Sequence, residues 1–340
     1  MKKLLLLSTA VAIALIPGVT YAAKGPRGSE STVTGKADTG SGKASATAGG
    51  ELIHYDHSKN PRKGGAGPLT PIGNWSPPAC WYAPKWTAES AAQTRLGGSV
   101  DFSPNHDALT AKANREKYLD GKYGNFNVKK QGKGYWWGAY KSDRLDDASA
   151  SDCTKSPFWV DTGHQPPADV PEVVSPEILA QLAYGEVRIP QGKASMAPAD
   201  GNQVVNLPTW VWLKNADFHP VSVTARVDVL NIQATTTATP VSMHIDAGTE
   251  DAQVYPASGD CPIHNGKIGT ERTPGDKGDP PCGVEYLRST ASSGSYQFKA
   301  TVTWKISWIG TGHPKPTKLP AGSYGTPQDV TVKEIQSIVR

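Results

Sequence analysis

The sequence predicts a mainly β protein: an antiparallel sandwich preceded by an irregular tryptophan-rich region and one short helix. Three observations carry that prediction. Tyr296, Phe298, Ala300, Val302, Trp304, Ile306 and Trp308 alternate with Gln297, Lys299, Thr301, Thr303, Lys305 and Ser307, the period-two pattern of a long strand with one buried and one wet face. Shorter runs of the same period follow Leu207-Pro208, with Gly and Pro turns between them. The 340-residue chain holds 35 Gly and 28 Pro against 3 Met and 5 Phe, a balance suited to strands and loops.

The elements follow in chain order. Residues 1–22 read as a signal peptide, with Lys2 and Lys3 before an apolar run from Leu4 to Ile16, a break at Pro17-Gly18, and small residues at Thr20 and Ala22 for cleavage. The run is shorter than the roughly 20 residues that span a bilayer, so no membrane span is expected in the mature chain. A secreted or extracellular protein is expected, free or associated with the cell wall. Residues 23–70 are rich in Gly, Ser, Thr and Lys and read as a flexible leader. Residues 71–170 form a Trp-rich region of short strands and loops, with a helical turn at Glu116–Leu119.

Residues 171–206 hold the one clear helix and a connecting segment. Ser175 is the N-cap, Pro176 follows at N1, Glu177 faces the positive helix end, Ile178, Leu179, Leu182 and Ala183 form the apolar stripe, and Gly185 ends it. The expected packing is on the sandwich edge. Residues 207–340 form the sandwich, with strands at Thr209–Leu213, Val221–Val227, Leu230–Thr237, Val241–Ile245 and Tyr296–Trp308, and a last one at Asp329–Val332. Val241, Met243 and Ile245 are read as one inward face. Trp304 and Trp308, with Trp210 or Trp212, are read as core.

Four cysteines in an exported chain predict two disulfides. Of the three pairings, Cys80–Cys153 with Cys261–Cys282 is favoured, because it places one bridge in each half.

The segments Val241-Ser-Met-His-Ile-Asp246-Ala-Gly248, Cys282-Gly-Val-Glu-Tyr286 and Gly294-Ser-Tyr-Gln-Phe through Trp304 resemble the polycystic-kidney-disease (PKD) type immunoglobulin-like domain over about 207–309. The resemblance implies an immunoglobulin-like topology for the sandwich. More broadly, Leu207-Pro-Thr-Trp-Val-Trp212, Cys282-Gly283 and Glu334-Ile-Gln336 are similar to a group of secreted actinomycete proteins of unknown function, from about Trp75 to the C-terminus. That likeness implies address and fold, and it carries no catalytic residue.

The formal charge is +4, from 35 Lys and Arg against 31 Asp and Glu. Without Lys2 and Lys3 it falls to about +2, too small an excess to predict a nucleic-acid partner. Neither a Gly-x-Ser-x-Gly elbow nor a His-Glu-x-x-His helix nor a phosphate-binding Gly-x-x-x-x-Gly-Lys loop occurs. No catalytic residue is assigned and no cofactor is implied.

The candidate ligand contact is the basic-aromatic stretch of Lys129, Lys130, Lys133, Tyr135, Trp136, Trp137 and Tyr140. Exposed rings stack on sugars and ammonium groups meet phosphates, which suits an anionic wall polymer. The alternative is that the rings pack inside while the lysines are solvated. Asp246, Glu250 and Asp251 are candidate calcium ligands, with surface solvation as the alternative. His54 and His57 sit in the presumed leader. The expected function is a secreted, non-catalytic extracellular or cell-envelope binding protein, with a wall polymer or another extracellular protein as partner. Two alternatives stand beside it. One is a secreted hydrolase of wall polymer or glycan with acids among Glu89, Asp101, Asp107, Glu116 and Asp120. The other is a structural surface-assembly protein tethered by its leader.

Overall fold

A computed structural model describes residues 53–60, 66–142, 153–190, 193–199, 201–213, 218–264 and 267–335, together with the backbone of 34–37 and 43–47. The signal peptide and most of the expected leader lie outside these residues. The fold is mainly β, with large antiparallel sheets and few helices.

The main sheet is antiparallel throughout. Its order is Thr34–Ala37, Lys43–Thr47, Ile53–Asp56, Val221–Val227, Ile232–Asp246, Tyr296–Gly310, His313–Val330 and Thr70–Pro71. Tyr296–Gly310 lies at its centre and buries the alternating set expected, with Phe298, Trp304 and Ile306 fully enclosed. The two runs expected at Leu230–Thr237 and Val241–Ile245 are one 15-residue strand, Ile232–Asp246.

Its register slips at Val241: Pro240 pairs with Trp304 and Ser242 with Thr303. The extra residue of this bulge turns outward, so Ala238 points in before it and Met243 and Ile245 after it, while Val241 is exposed. The expected common face of Val241, Met243 and Ile245 is thus corrected. Pro240 has no N–H to give the ladder, and a bulge is where a strand tolerates that loss.

A second sheet centres on Thr209–Leu213. Ser195–Ala197 pairs on one side, and Lys267–Gly269 and Gly283–Tyr286 on the other, with Ala252–Tyr255 beyond. Asp260–His264 joins the sheets, pairing first with Ile232–Asp246 and then with Lys267–Gly269. Tyr286 of this sheet stacks on Tyr296 of the main one at 5.3 Å between ring centres. Leu213 shares the lining of a small cavity with Val302 and Trp304. The two inner faces therefore meet as layers of a sandwich.

The helix forms where expected, at Pro176–Glu186, with the Ser175 hydroxyl accepting from the Ile178 N–H at 3.2 Å. It lies across the inner face of the main sheet rather than on its edge. Ala234 and Ala238 leave room for a helix there, and Thr236 between them donates its hydroxyl to the Ala180 carbonyl at 2.7 Å. Gly185 stays inside the helix. The end comes one residue later, where the Arg188 guanidinium donates to the Gly185 and Val187 carbonyls.

Two expectations on extended segments are corrected. The described parts of the presumed leader belong to the fold: Lys43–Thr47 pairs with Ile53–Asp56, Ile53–Asp56 pairs with Val221–Val227, and Ala66–Pro68 pairs with Arg188–Pro190. Asn60 is buried and bonds the Arg188 backbone twice, through N–H and carbonyl. Main-chain pairing at a sheet edge needs few large side chains, and Ile53, Tyr55 and Leu69 suffice as anchors. The strand expected at Asp329–Val332 is divided between the end of a long strand, His313–Val330, and a short last one, Val332–Lys333, which pairs in parallel with Gln203–Val204. Pro314, Pro316 and Pro320 conceal the long strand in sequence, and an edge position tolerates them.

The Trp-rich region is a three-stranded antiparallel sheet, Cys80–Trp86, Gly134–Lys141 and Phe158–Asp161. Further helices precede its middle strand: Ala88–Thr94, capped by Thr87, Ala108–Arg115, capped by Asp107, and the single turn Gly124–Asn127. The expected turn at Glu116–Leu119 is the start of a π turn, Glu116–Asp120. Both disulfides have the favoured pairing, across 73 residues for Cys80–Cys153 and 21 for Cys261–Cys282. Among the described residues no helix is long and apolar enough to cross a membrane.

Candidate binding surface

In the strand Gly134–Lys141, successive side chains point to opposite faces, and both faces are covered. Trp136 is fully buried among Tyr118, Tyr123 and Trp159, and its indole N–H donates to the Phe126 carbonyl at 2.9 Å. Trp137 stacks on Phe158 on the other side. Tyr140 is buried against Trp81, and its hydroxyl donates to the Pro84 carbonyl at 3.0 Å. Tyr135 is half-buried. The expected aromatic platform is therefore corrected: Trp136, Trp137 and Tyr140 present no free face to a sugar ring.

Burying two adjacent indoles from one strand demands close approach of the backbone. A Cβ on Gly138 would stand 2.6 Å from the Trp86 ring, and one on Gly134 would stand 2.4 Å from the Val160 carbonyl oxygen. The pattern Gly-Tyr-Trp-Trp-Gly over 134–138 is the sequence signal for this packing.

The lysines take the other role. Lys129, Lys130 and Lys133 are exposed on the turn that leads into the strand. That turn is fixed from several sides. The Gln131 side-chain oxygen accepts from the Glu89 N–H at 2.9 Å, the Lys133 N–H donates to Lys130 at 2.9 Å, and the Thr162 N–H donates to the Lys133 carbonyl at 2.8 Å. Lys130 also pairs with Asp161 at 3.3 Å. The indole N–H of Trp159, followed by Lys130, holds the Asp161 carboxyl below its ordinary range. Lys129 and Lys133 remain as displayed cations on an ordered base.

The acidic candidates disperse. Asp246 accepts from the Gly248 N–H at 2.9 Å and closes its turn, Asp251 pairs with Arg288 at 3.1 Å, and Glu250 is exposed. Among the described residues no three His, Cys, Asp or Glu side chains form a group that could hold a metal, and Asp246, Glu250 and Asp251 are not brought together as one.

The acids considered for hydrolysis also serve locally. Asp107 caps a helix, Asp101 accepts from the Ser103 N–H and meets His106, Glu116 pairs with Lys112, and Asp120 with Arg115. Hydrogen bonds hold the Asp101 and Asp107 carboxyls below their ordinary range, the reverse of what a general acid needs.

Sequence reasoning missed the polar group around the helix end. His57 is buried with its Nε2 at 3.8 Å from Glu186, beside Asn60 and Arg188. No period or motif marks it, since its members lie about 130 residues apart in the chain.

The molecule is thus defined as a mainly β, disulfide-stapled protein with antiparallel sheets. In comparison with known proteins, the chain matches no family model, and no curated protein or solved structure proves similar to it.

Proposed function

We propose that this protein is a secreted, non-catalytic binding protein of the extracellular space or cell envelope, built on a PKD-like sandwich and similar to a group of secreted actinomycete proteins of unknown function. Its ligand is an anionic wall polymer. The observation that carries this reading is the ordered turn over 129–133, which displays Lys129 and Lys133 on a hydrogen-bonded base. A preformed cationic turn loses little conformational freedom when it meets a ligand, so more of the contact energy appears as affinity. The signal-like residues 1–22 and the two disulfides suit an oxidising compartment outside the membrane.

The test is co-sedimentation with purified cell walls. The purified protein pellets, and the variant with Lys129, Lys130 and Lys133 changed to Ala pellets less, with the difference vanishing at high salt. Equal pelleting of both proteins would overturn the role of the turn.

A further inference from the structure

A second basic group lies where the π turn Glu116–Asp120 meets the segment after Cys153. Tyr118 is fully buried there, and its hydroxyl donates to the Pro157 carbonyl at 2.8 Å, clamping that segment against the turn. Tyr123 stacks on Tyr118 with ring centres 6.2 Å apart. Each ring carries a lysine: Lys117 Nζ is 4.8 Å from the Tyr118 centre, and Lys122 Nζ is 5.0 Å from the Tyr123 centre. Lys155 arrives on the clamped segment, its backbone N–H donating to the Tyr82 hydroxyl at 2.7 Å and its ammonium meeting Asp169.

The charges here are not balanced. The two acids of the turn are already engaged, Glu116 by Lys112 and Asp120 by Arg115, and among the described residues no carboxylate pairs with Lys117 or Lys122. Lys117 is half-buried, so burial first, and then the nearby charges of Lys122 and Lys155, hold its ammonium below the ordinary lysine range. From residue 81 to 142 the chain has ten Lys and Arg against five Asp and Glu, so this layer holds more than the net positive charge of the whole protein. Cations kept together without enough counter-charge are stabilised by any anion that reaches them.

We propose that Lys117, Lys122 and Lys155 form a binding site for a phosphate-bearing polyanion, a phosphodiester-linked wall polymer. Ammonium groups act as point charges toward phosphate oxygens, and the tyrosine rings beneath them set their spacing. Asp169 holds the Lys155 ammonium, so a repeating phosphate engages Lys117 and Lys122 directly and Lys155 in exchange for that carboxylate, where a single ion would hold only weakly. The assignment rests on the reading of the protein as an envelope-binding protein and supplies its ligand class.

The experiment titrates the purified full chain with soluble poly(glycerol phosphate) at low salt. Lys117→Gln/Lys122→Gln weakens binding by about fivefold for each ammonium lost, the worth of one close ion pair in water. Lys117→Arg, which keeps the charge, retains binding and shows that the fold of the turn is not the cause. Lys299→Gln/Lys305→Gln, an equal charge change on the solvent face of the main sheet, leaves affinity unchanged. An unchanged affinity in the first variant, an equal loss in the last, or binding of polyglutamate as tight as that of the phosphate polymer overturns the site. If walls pellet the protein but poly(glycerol phosphate) does not bind, this site falls and the envelope reading stands. If neither occurs, both fall.

Discussion

Replacing Trp136 by Ala separates a core indole from a binding platform. The ring is fully buried, with Tyr123 edge-on at 4.8 Å, Tyr118 at 5.3 Å and Trp159 at 5.8 Å between centres. Emptying such a site costs about 3–5 kcal/mol, and the Phe126 carbonyl left without its indole donor adds about 1 kcal/mol. At a denaturant slope of about 2–3 kcal/mol/M, the urea midpoint falls by about 1.3–3 M. Urea unfolding followed by near-ultraviolet circular dichroism measures this, with Lys129→Ala as an exposed control expected within about 0.5 kcal/mol of the wild type. Trp136→Ala with native stability and lost wall binding would refute the packing argument, because only a surface ring behaves that way.

Two further predictions concern stability. Changing Cys261 and Cys282 to Ala opens a loop of 21 residues and costs about 3 kcal/mol, whereas changing Cys80 and Cys153 opens one of 73 and costs about 4 kcal/mol, from loop-closure entropy. Thermal unfolding of the two double variants should rank them in that order, and the reverse order would show that the entropy argument does not govern these bridges. Burial pushes the phenols of Tyr118, Tyr184 and Tyr286 above their ordinary range, and burial with Glu285 pushes Tyr255 to about 12. A raised phenol pKa favours the neutral form in the fold, so its contribution is complete below about pH 10 and is lost as pH rises beyond it. Phenolate absorbance should show that the phenols of Tyr118, Tyr184 and Tyr286 ionise only as the protein unfolds; ionisation of every phenol with the fold intact would contradict this.

The central strand and the helix start were legible because each repeats a local rule. Tyr296 to Trp308 keeps a strict period of two, and Ser175-Pro176 is a cap that acts within one turn of chain. The disulfide pairing was legible from the division of the chain into halves. What stayed hidden depends on distant partners. Ile53–Asp56 is a strand because Val221–Val227 offers an open edge, and the His313–Val330 strand tolerates its prolines because it is itself near an edge.

The bulge at Val241 is set by pairing with Tyr296–Gly310, which no window of the strand's own residues contains. At the candidate surface, the lysines of 129–133 fall where exposure was expected, whereas Trp136, Trp137 and Tyr140 show that composition alone does not separate a stacking platform from a core. The group of Lys117, Lys122 and Lys155 spans nearly 40 residues of chain and needed the Tyr118 to Pro157 bond to assemble it.

The most direct measurement of the proposed function is the fraction of purified protein that sediments with cell walls before and after extraction of their phosphodiester polymer. Sedimentation with intact walls should be salt-sensitive and largely lost on extraction. Sedimentation that survives extraction unchanged, or no sedimentation with intact walls, would contradict it.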